Sequence, residues 1–326
     1  MSDYTGCNIC SENTIGLTPV YKISEENKFG WENDSTMKLL GLAAVETQLR
    51  ICPKCVHSVI FPRFNSEQLY GERGYSVRKM LYESYFPETV YGEKSNLLNF
   101  NQVFSKLSRE SLRSYYMMSF IAKRARATFK DVKEIRVLDW GGGDGYISAT
   151  YSNLLKAITG LPVVSFVYDY TDWKSDSNRV GIENLKRMDT FHLVIFSHVL
   201  EHTHDPVTAI KCALPFLEDA GLVVCEVPDE RLQVIRAVLR RKVGMHYHVA
   251  HFSRRSLHRT LEKAGLTNVY TTYQYKSSYR GSITSCIAGI SQKGGAIKIQ
   301  PNPLKLYEAF SLVVFAAKKI LSKIFL

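Results

Sequence analysis

The sequence lacks any run of 18 or more uncharged apolar residues, so no membrane-spanning helix is expected. Its first residues, Met1-Ser2-Asp3-Tyr4, lack the basic and apolar regions of a secretory leader, and a cytoplasmic protein is expected. Internal repeats and low-complexity segments are also missing. With 45% apolar and 22% charged residues, the composition excludes a disordered, collagen-like or coiled-coil chain. Acidic residues run short in one region. Lys+Arg against Asp+Glu is 9 against 11 over residues 1 to 90, 10 against 5 over 91 to 139, 6 against 12 over 140 to 229, and 17 against 3 over 230 to 326. The net charge of +11 therefore originates in the last hundred residues. A local excess of that kind calls for an anionic partner: a nucleic acid, a membrane surface or a phosphorylated substrate.

An even number of cysteines is missing as well. Seven are present, at 7, 10, 52, 55, 212, 225 and 286, which makes a poor disulfide framework. Four of them form two Cys-x-x-Cys knuckles, Cys7-Asn8-Ile9-Cys10 and Cys52-Pro53-Lys54-Cys55, with 41 residues between. Each knuckle sets two thiolates on one side of a tight turn, and four thiolates complete a tetrahedral zinc shell; four free thiols or a redox pair are the alternatives. A four-thiolate shell is closed, so zinc held by Cys7, Cys10, Cys52 and Cys55 has a structural role. The long separation requires the intervening loop to hold structure of its own. Cys212, Cys225 and Cys286 stand in apolar contexts and are expected in the core.

At roughly 100 to 200 residues per domain, 326 residues make two domains or one enlarged domain. Residues 1–66 read as a zinc-binding module. Residues 67–134 read as a helical linker or lid, with apolar positions at spacings of three and four between 95 and 130. From 135 to 298, short apolar runs at 135–138, 162–168, 191–196 and 221–227 alternate with helical stretches. That alternation predicts a parallel sheet covered by helices on both faces, a Rossmann-like doubly wound α/β fold. Residues 299–326 read as a C-terminal amphipathic helix. Over 304–326 its lysines border a wide apolar face, which suits either a membrane interface or docking on protein.

The strongest local signal is Val137-Leu138-Asp139-Trp140-Gly141-Gly142-Gly143-Asp144-Gly145, between an apolar run and a predicted helix over 146–158. Glycines at 141, 143 and 145 allow a sharp turn and a close approach of ligand to the helix N-terminus. A plain strand-to-helix connection is the alternative. The Gly-x-Gly-x-Gly spacing, with an aspartate two residues ahead, resembles the first motif of class I S-adenosylmethionine-dependent methyltransferases. The resemblance continues in Asp169 after the second apolar run, in Ser197-His198-Val199-Leu200-Glu201-His202 after the third, and in the Gly221–Val227 run that ends at Pro228. It implies adenosylmethionine as cofactor, bound by Asp139, Gly141, Gly143, Gly145, Asp169, Tyr170 and Ser197, with Asp169 accepting from both ribose hydroxyls. No apolar run between Asp172 and Asp189 marks a third strand, and the adenine-contacting acid stays unassigned. The paired cysteines resemble the zinc-binding N-terminal domain that precedes some sugar methyltransferases.

Six of the nine histidines fall in two clusters, His198, His202 and His204, then His246, His248 and His251. The second lies ahead of a predicted helix capped by Ser253 and resembles the His-Glu-His-x-x-x-Phe-Ser segment of sugar C-methyltransferases. That resemblance makes His248 a candidate base. The family's glutamate is Tyr247 here, and oxygen methylation with His248 or His202 as base fits at least as well as carbon methylation; His198 completes the candidate catalytic set. Metal binding or core packing is the alternative for these histidines. The resemblance to sugar methyltransferases implies a sugar or sugar-nucleotide acceptor, used in surface polysaccharide synthesis. The protein is expected in the cytoplasm, where 304–326 offers peripheral contact with the inner face of the membrane as one option. The arginines between 231 and 241 are placed to hold the acceptor's pyrophosphate. An RNA methyltransferase is the competing reading, disfavoured because the first 90 residues are net acidic. A non-catalytic cofactor-binding scaffold is the third.

Overall fold

The computed structural model describes residues 6–17, 20–22, 46–61, 121, 129, 131–143, 145–169, 178–229, 234, 248–277 and 283–294. The C-terminal helix, Tyr170, the arginine-rich stretch after Glu230 and nearly all of the region from 67 to 130 lie outside the described residues. Among those described, no helix is long and apolar enough to cross a membrane.

All four predicted apolar runs become strands, β5 (Ile135–Trp140), β6 (Val163–Tyr168), β7 (Phe191–Ser197) and β8 (Leu217–Pro228), of which β5, β7 and β8 are central. In β5, β7 and β8 the residues of the runs are nearly all buried, on both faces, which is why the runs are continuous rather than alternating. These four strands are parallel, with β6–β5–β7–β8 as neighbours. The sheet as a whole is mixed. β10 (Thr267–Ser277) and β11 (Ile283–Gln292) form a hairpin whose second strand lies antiparallel on β8. Where a third crossover strand would flank β6, a single parallel bridge joins Val167 to Arg179. Two backbone hydrogen bonds carry it, Val167 N–H to Asn178 O at 3.0 Å and Val180 N–H to Val167 O at 2.9 Å. One bridge needs no apolar run, and none is present.

Successive residues of each strand feed two cores. Ile135, Val137, Leu193, Ile195, Leu222 and Val224 meet Tyr151, Leu154 and Leu155 of α1 (Tyr146–Thr159) on one face. Leu138, Trp140, Val194, Phe196, Val223 and Cys225 face the other way. There they pack on Leu185 of α2 (Ile182–Leu185), Ile210 of α3 (Pro206–Ala213) and Leu257 and Leu261 of α4 (Arg254–Lys263). The sheet is thus helix-covered on both sides, as expected. α1 ends in Gly160 at φ 74°, the left-handed cap that stops a helix. α4 starts at Ser253, whose Oγ accepts from Ser256 N–H at 3.0 Å while Ser256 Oγ accepts from Ser253 N–H at 2.9 Å.

The cysteine segment has its own small antiparallel sheet, β1 (Ile15–Gly16), β2 (Tyr21–Lys22), β3 (Glu46–Ile51) and β4 (Ser58–Phe61). Its outer strand comes from far along the chain: β9 (Ala250–His251) pairs with β4 through Val59 and Ser58. Cys7, Ile9, Cys52 and Cys55 share one hydrophobic core with Leu138, Phe252 and α4. Cys225 and Cys286 are buried, but Cys212 is exposed, which corrects the expectation that all three lie in the core. α3 buries positions 206, 207, 210 and 213, and at 100° per residue Cys212 falls on the opposite side from Ile210.

Candidate active site

β5 and β7 are neighbours, yet the chain leaves β5 for β6 on one side before returning to β7 on the other. A reversal of this kind opens a crevice beyond the carboxyl ends of the strands. The glycine loop rises from β5 into it. Gly141, Gly143 and Gly145 have φ of 77°, 57° and 76°, a region that costs other L-residues roughly 1–2 kcal/mol. Gly142 is needed for a different reason. A Cβ there would stand 2.5 Å from Cγ and Oδ2 of Asp139, which is itself buried. The loop is held by Gly141 N–H to Tyr168 O at 2.7 Å and Gly145 N–H to Gly142 O at 2.9 Å. Gly143 N–H donates to Asp169 Oδ2 at 2.9 Å, so the carboxylate that ends β6 is tied to the loop after β5. α1 begins at Tyr146, and its N-cap Gly145 brings no side chain to accept from its first N–H groups.

Across the crevice, β7 ends at Ser197, which pairs with Glu226 of β8. His198 follows at φ 56°, a left-handed conformation that costs a non-glycine residue of order 1–3 kcal/mol. Three contacts hold it there. Its N–H donates to Glu226 O at 2.9 Å, its Nδ1 lies 3.0 Å from Glu201 Oε1, and its Nε2 lies 3.9 Å from Cys286 Sγ on β11. The chain then makes one 3-10 turn, Leu200–His202, that buries Leu200 and Glu201. Val199 at its start leans on the glycine loop, since a Cβ on Gly141 would stand 2.8 Å from Val199 Cγ2. His202 Nε2 lies 4.0 Å from Glu201 Oε1, and the His202 ring meets the His248 ring edge to face with centroids 4.8 Å apart.

The four knuckle cysteines converge. Sγ distances are 3.3 Å for Cys10 to Cys52, 3.6 Å for Cys7 to Cys55 and 3.8 Å for Cys10 to Cys55. A tetrahedral zinc with Zn–S of about 2.3 Å has S···S edges of about 3.8 Å, so the cluster has the size of a four-sulfur shell. The hydrogen bond from Cys55 holds the Cys7 thiol down at about 5, burial pushes Cys52 up to about 11, and donation to Cys7 pushes Cys55 up as well. Cys52 and Cys55 are thus held toward the neutral thiol. A divalent cation removes that obstacle to ionisation.

The candidate residues thus gather in three places. Asp139, Gly141, Gly143, Gly145, Asp169 and Ser197 border the crevice, with His198, His202 and His248 around Glu201 on its β7 side. Cys7, Cys10, Cys52 and Cys55 form the third group; Tyr170 and His246 lie outside the described residues. Glu201 and Glu226, both fully buried beside His198, were not singled out from the sequence. A signal existed for Glu226, the lone acid within the apolar run 221–227.

Among known proteins, the family described as Methyltransferase domain matches residues 109–271. The chain is similar in structure to the YcgJ protein from Bacillus subtilis, at 13% identity over 56% of this chain and 100% of that one, with a TM-score of 0.37. It is also similar to the CurJ carbon methyltransferase, at 12% identity over 71% of this chain and 62% of that one, with a TM-score of 0.40. A third similar structure is the plantazolicin methyltransferase BamL, solved with a triazolic desmethylPZN analog and SAH, at 10% identity over 66% and 96% of the two chains and a TM-score of 0.40. No curated protein matches the chain. The matched segment is half of the 326 residues and contains the glycine loop, Asp169, the His198–His202 segment and His248, and on that ground this chain belongs to the methyltransferase domain family and is a transferase enzyme.

Proposed function

We propose that the protein transfers a methyl group from S-adenosylmethionine to a sugar hydroxyl, on a nucleotide- or lipid-linked acceptor, and that Cys7, Cys10, Cys52 and Cys55 hold a structural zinc. The observation that carries the reading is the carboxyl edge of the sheet, where the glycine loop follows β5, Asp169 follows β6, and His198 and His202 follow β7 with the His248 ring against His202. Asp139, the glycine loop and Asp169 fit the cofactor: a carboxylate fixed at the end of β6 suits a ribose diol, and the uncapped start of α1 suits its amino-acid end. When bound, adenosylmethionine supplies an electrophilic methyl on sulfur. His248 or His202 takes the proton from the acceptor hydroxyl, and the walls keep donor and acceptor in line. The acidic balance of residues 1 to 90 favours a phosphorylated sugar over RNA.

Transfer of labelled methyl from adenosylmethionine into a nuclease-treated nucleotide-sugar pool tests the acceptor. Label appearing only with RNA present would refute it. Asp169→Ala should weaken adenosylmethionine binding on the order of 100-fold in calorimetry, because two hydroxyl bonds to a carboxylate are lost; unchanged affinity would remove Asp169 from the site. Gly142→Ala pushes its methyl into the Asp139 carboxyl. An overpacking cost of about 1–3 kcal/mol should appear as roughly tenfold or greater loss of the same affinity.

A further inference from the structure

We propose that Glu201, His202 and His248 form a second metal centre, separate from the four cysteines, that holds a divalent cation on the acceptor side of the crevice. The proposal rests on the reading of that edge as the acceptor site; with a cation bound, His202 and His248 act as its ligands and not as bases.

The donor set is the first ground. Two imidazoles and a carboxylate are the three-ligand set of open metal sites, in which further positions are left for water or substrate. Ligand-capable atoms of the three residues all lie within 4.8 Å of one another. With metal–N and metal–O bonds of about 2.0–2.2 Å, two ligands of a tetrahedral ion stand about 3.4 Å apart. His202 Nε2 and Glu201 Oε1, at 4.0 Å, need to close by about half an ångström, and the widest separation, within 4.8 Å, by up to about 1.4 Å, a range that side-chain rotation covers.

Construction is the second ground. Glu201 is fully buried and fixed by His198, whose Nδ1 at 3.0 Å orients the carboxylate as an outer partner orients a metal ligand. His202 and His248 keep partial exposure, so the third face of the triangle opens outward. The neighbouring group of His198, Glu226 and Cys286 has one partly exposed member where this one has two. Two imidazoles converging on one carboxylate exceed what a single general base requires. They match what a cation requires.

At this centre the acceptor hydroxyl would occupy an open position, and the ion's charge would favour loss of its proton to solvent. The oxygen then forms a bond to the methyl carbon as the carbon–sulfur bond breaks, its electron pair staying on sulfur. The ion is neither oxidised nor reduced.

Mn2+ is the probe, because thiolate sites prefer softer ions and the four-cysteine cluster does not compete for it. Full-length protein carrying its native zinc is titrated with Mn2+, and the loss of the free-ion paramagnetic resonance signal is followed. One Mn2+ per chain is expected, with His202→Ala and His248→Ala each weakening it by more than roughly tenfold while zinc content stays unchanged. No binding, or binding indifferent to both variants, overturns the proposal. Methyl transfer is measured in parallel with and without the ion. Full activity after chelation that spares the zinc overturns the role of the cation and leaves the methyltransferase reading standing. Mn2+ binding lost in the variants, with no sugar acceptor methylated under any condition, upholds the metal centre and refutes the acceptor instead.

Discussion

Replacing Cys7 and Cys10 together by serine is expected to unfold the N-terminal sheet and abolish methyl transfer, although neither cysteine reaches the crevice. Structural zinc in small domains contributes about 10–16 kcal/mol of apparent binding free energy, against a whole-protein stability of about 5–15 kcal/mol. The loss would spread because the cysteine cluster is continuous with the core beneath α4. Three links run from it to the histidines. β4 pairs with β9, and Ile60 N–H donates to Val249 O at 3.1 Å, next to His248. Ser253 Oγ donates to Cys55 O at 3.3 Å and, through its cap, sets the start of α4. Asn8 Nδ2 donates to His204 O, in the loop that follows the 3-10 turn. The glycine loop and Asp169 depend on β5 and β6, which the small sheet does not pair with. The part of that loss confined to the small sheet leaves the cofactor strands folded, so the double variant should bind adenosylmethionine with little loss at low temperature, while turnover falls below detection and the melting temperature drops by more than roughly 10 °C. A variant that keeps both its melting temperature and its turnover would show that the cluster contributes nothing to the site.

How far these features were legible depended on whether the signal was local. The glycine loop could be read because its conformation constrains residue type within five positions, and the central strands because burial on both faces leaves an uninterrupted apolar run. The Ser253 cap was legible for the same reason: a hydroxyl three residues from its partner is a local device. Pairing across long separations was not legible. Nothing in Ala250–His251 distinguishes an edge strand for a sheet 190 residues upstream, since two residues carry no periodicity. The hairpin β10–β11 escaped because antiparallel order is fixed by its turn and register, not by composition. The bridge at Arg179 replaces a strand with two hydrogen bonds, which leave no trace in sequence. Glu201 was visible inside the histidine segment, but only the fold shows that it is buried and that three imidazoles from two segments surround it.

His248→Ala is expected to lower kcat by about 10²- to 10⁴-fold, the range of a lost general base or of an equivalent group acting on the acceptor proton. Adenosylmethionine affinity should be retained, because the glycine loop and Asp169 are held by β5, β6 and each other. His202→Ala should do the same. The informative measurement is the double variant. If His202 and His248 act as one unit, through a shared proton or a shared ion, removing both costs about as much as removing either. Independent roles would multiply the losses, and that product would separate the two residues. His198→Ala should behave differently. Its ring is held by Glu201 and faces Cys286, and its backbone is already in the left-handed region. Its removal leaves a buried carboxylate without that partner, so the expected effect is a loss of thermal stability of about 1–3 kcal/mol, with turnover falling because Glu201 is no longer fixed. His198→Asn, which tolerates the same backbone conformation and can still donate toward Glu201, should recover more of both than alanine does. Equal damage from the two substitutions would mean that the imidazole itself takes part in the chemistry, and His198 would then join His202 and His248 at the reacting atoms.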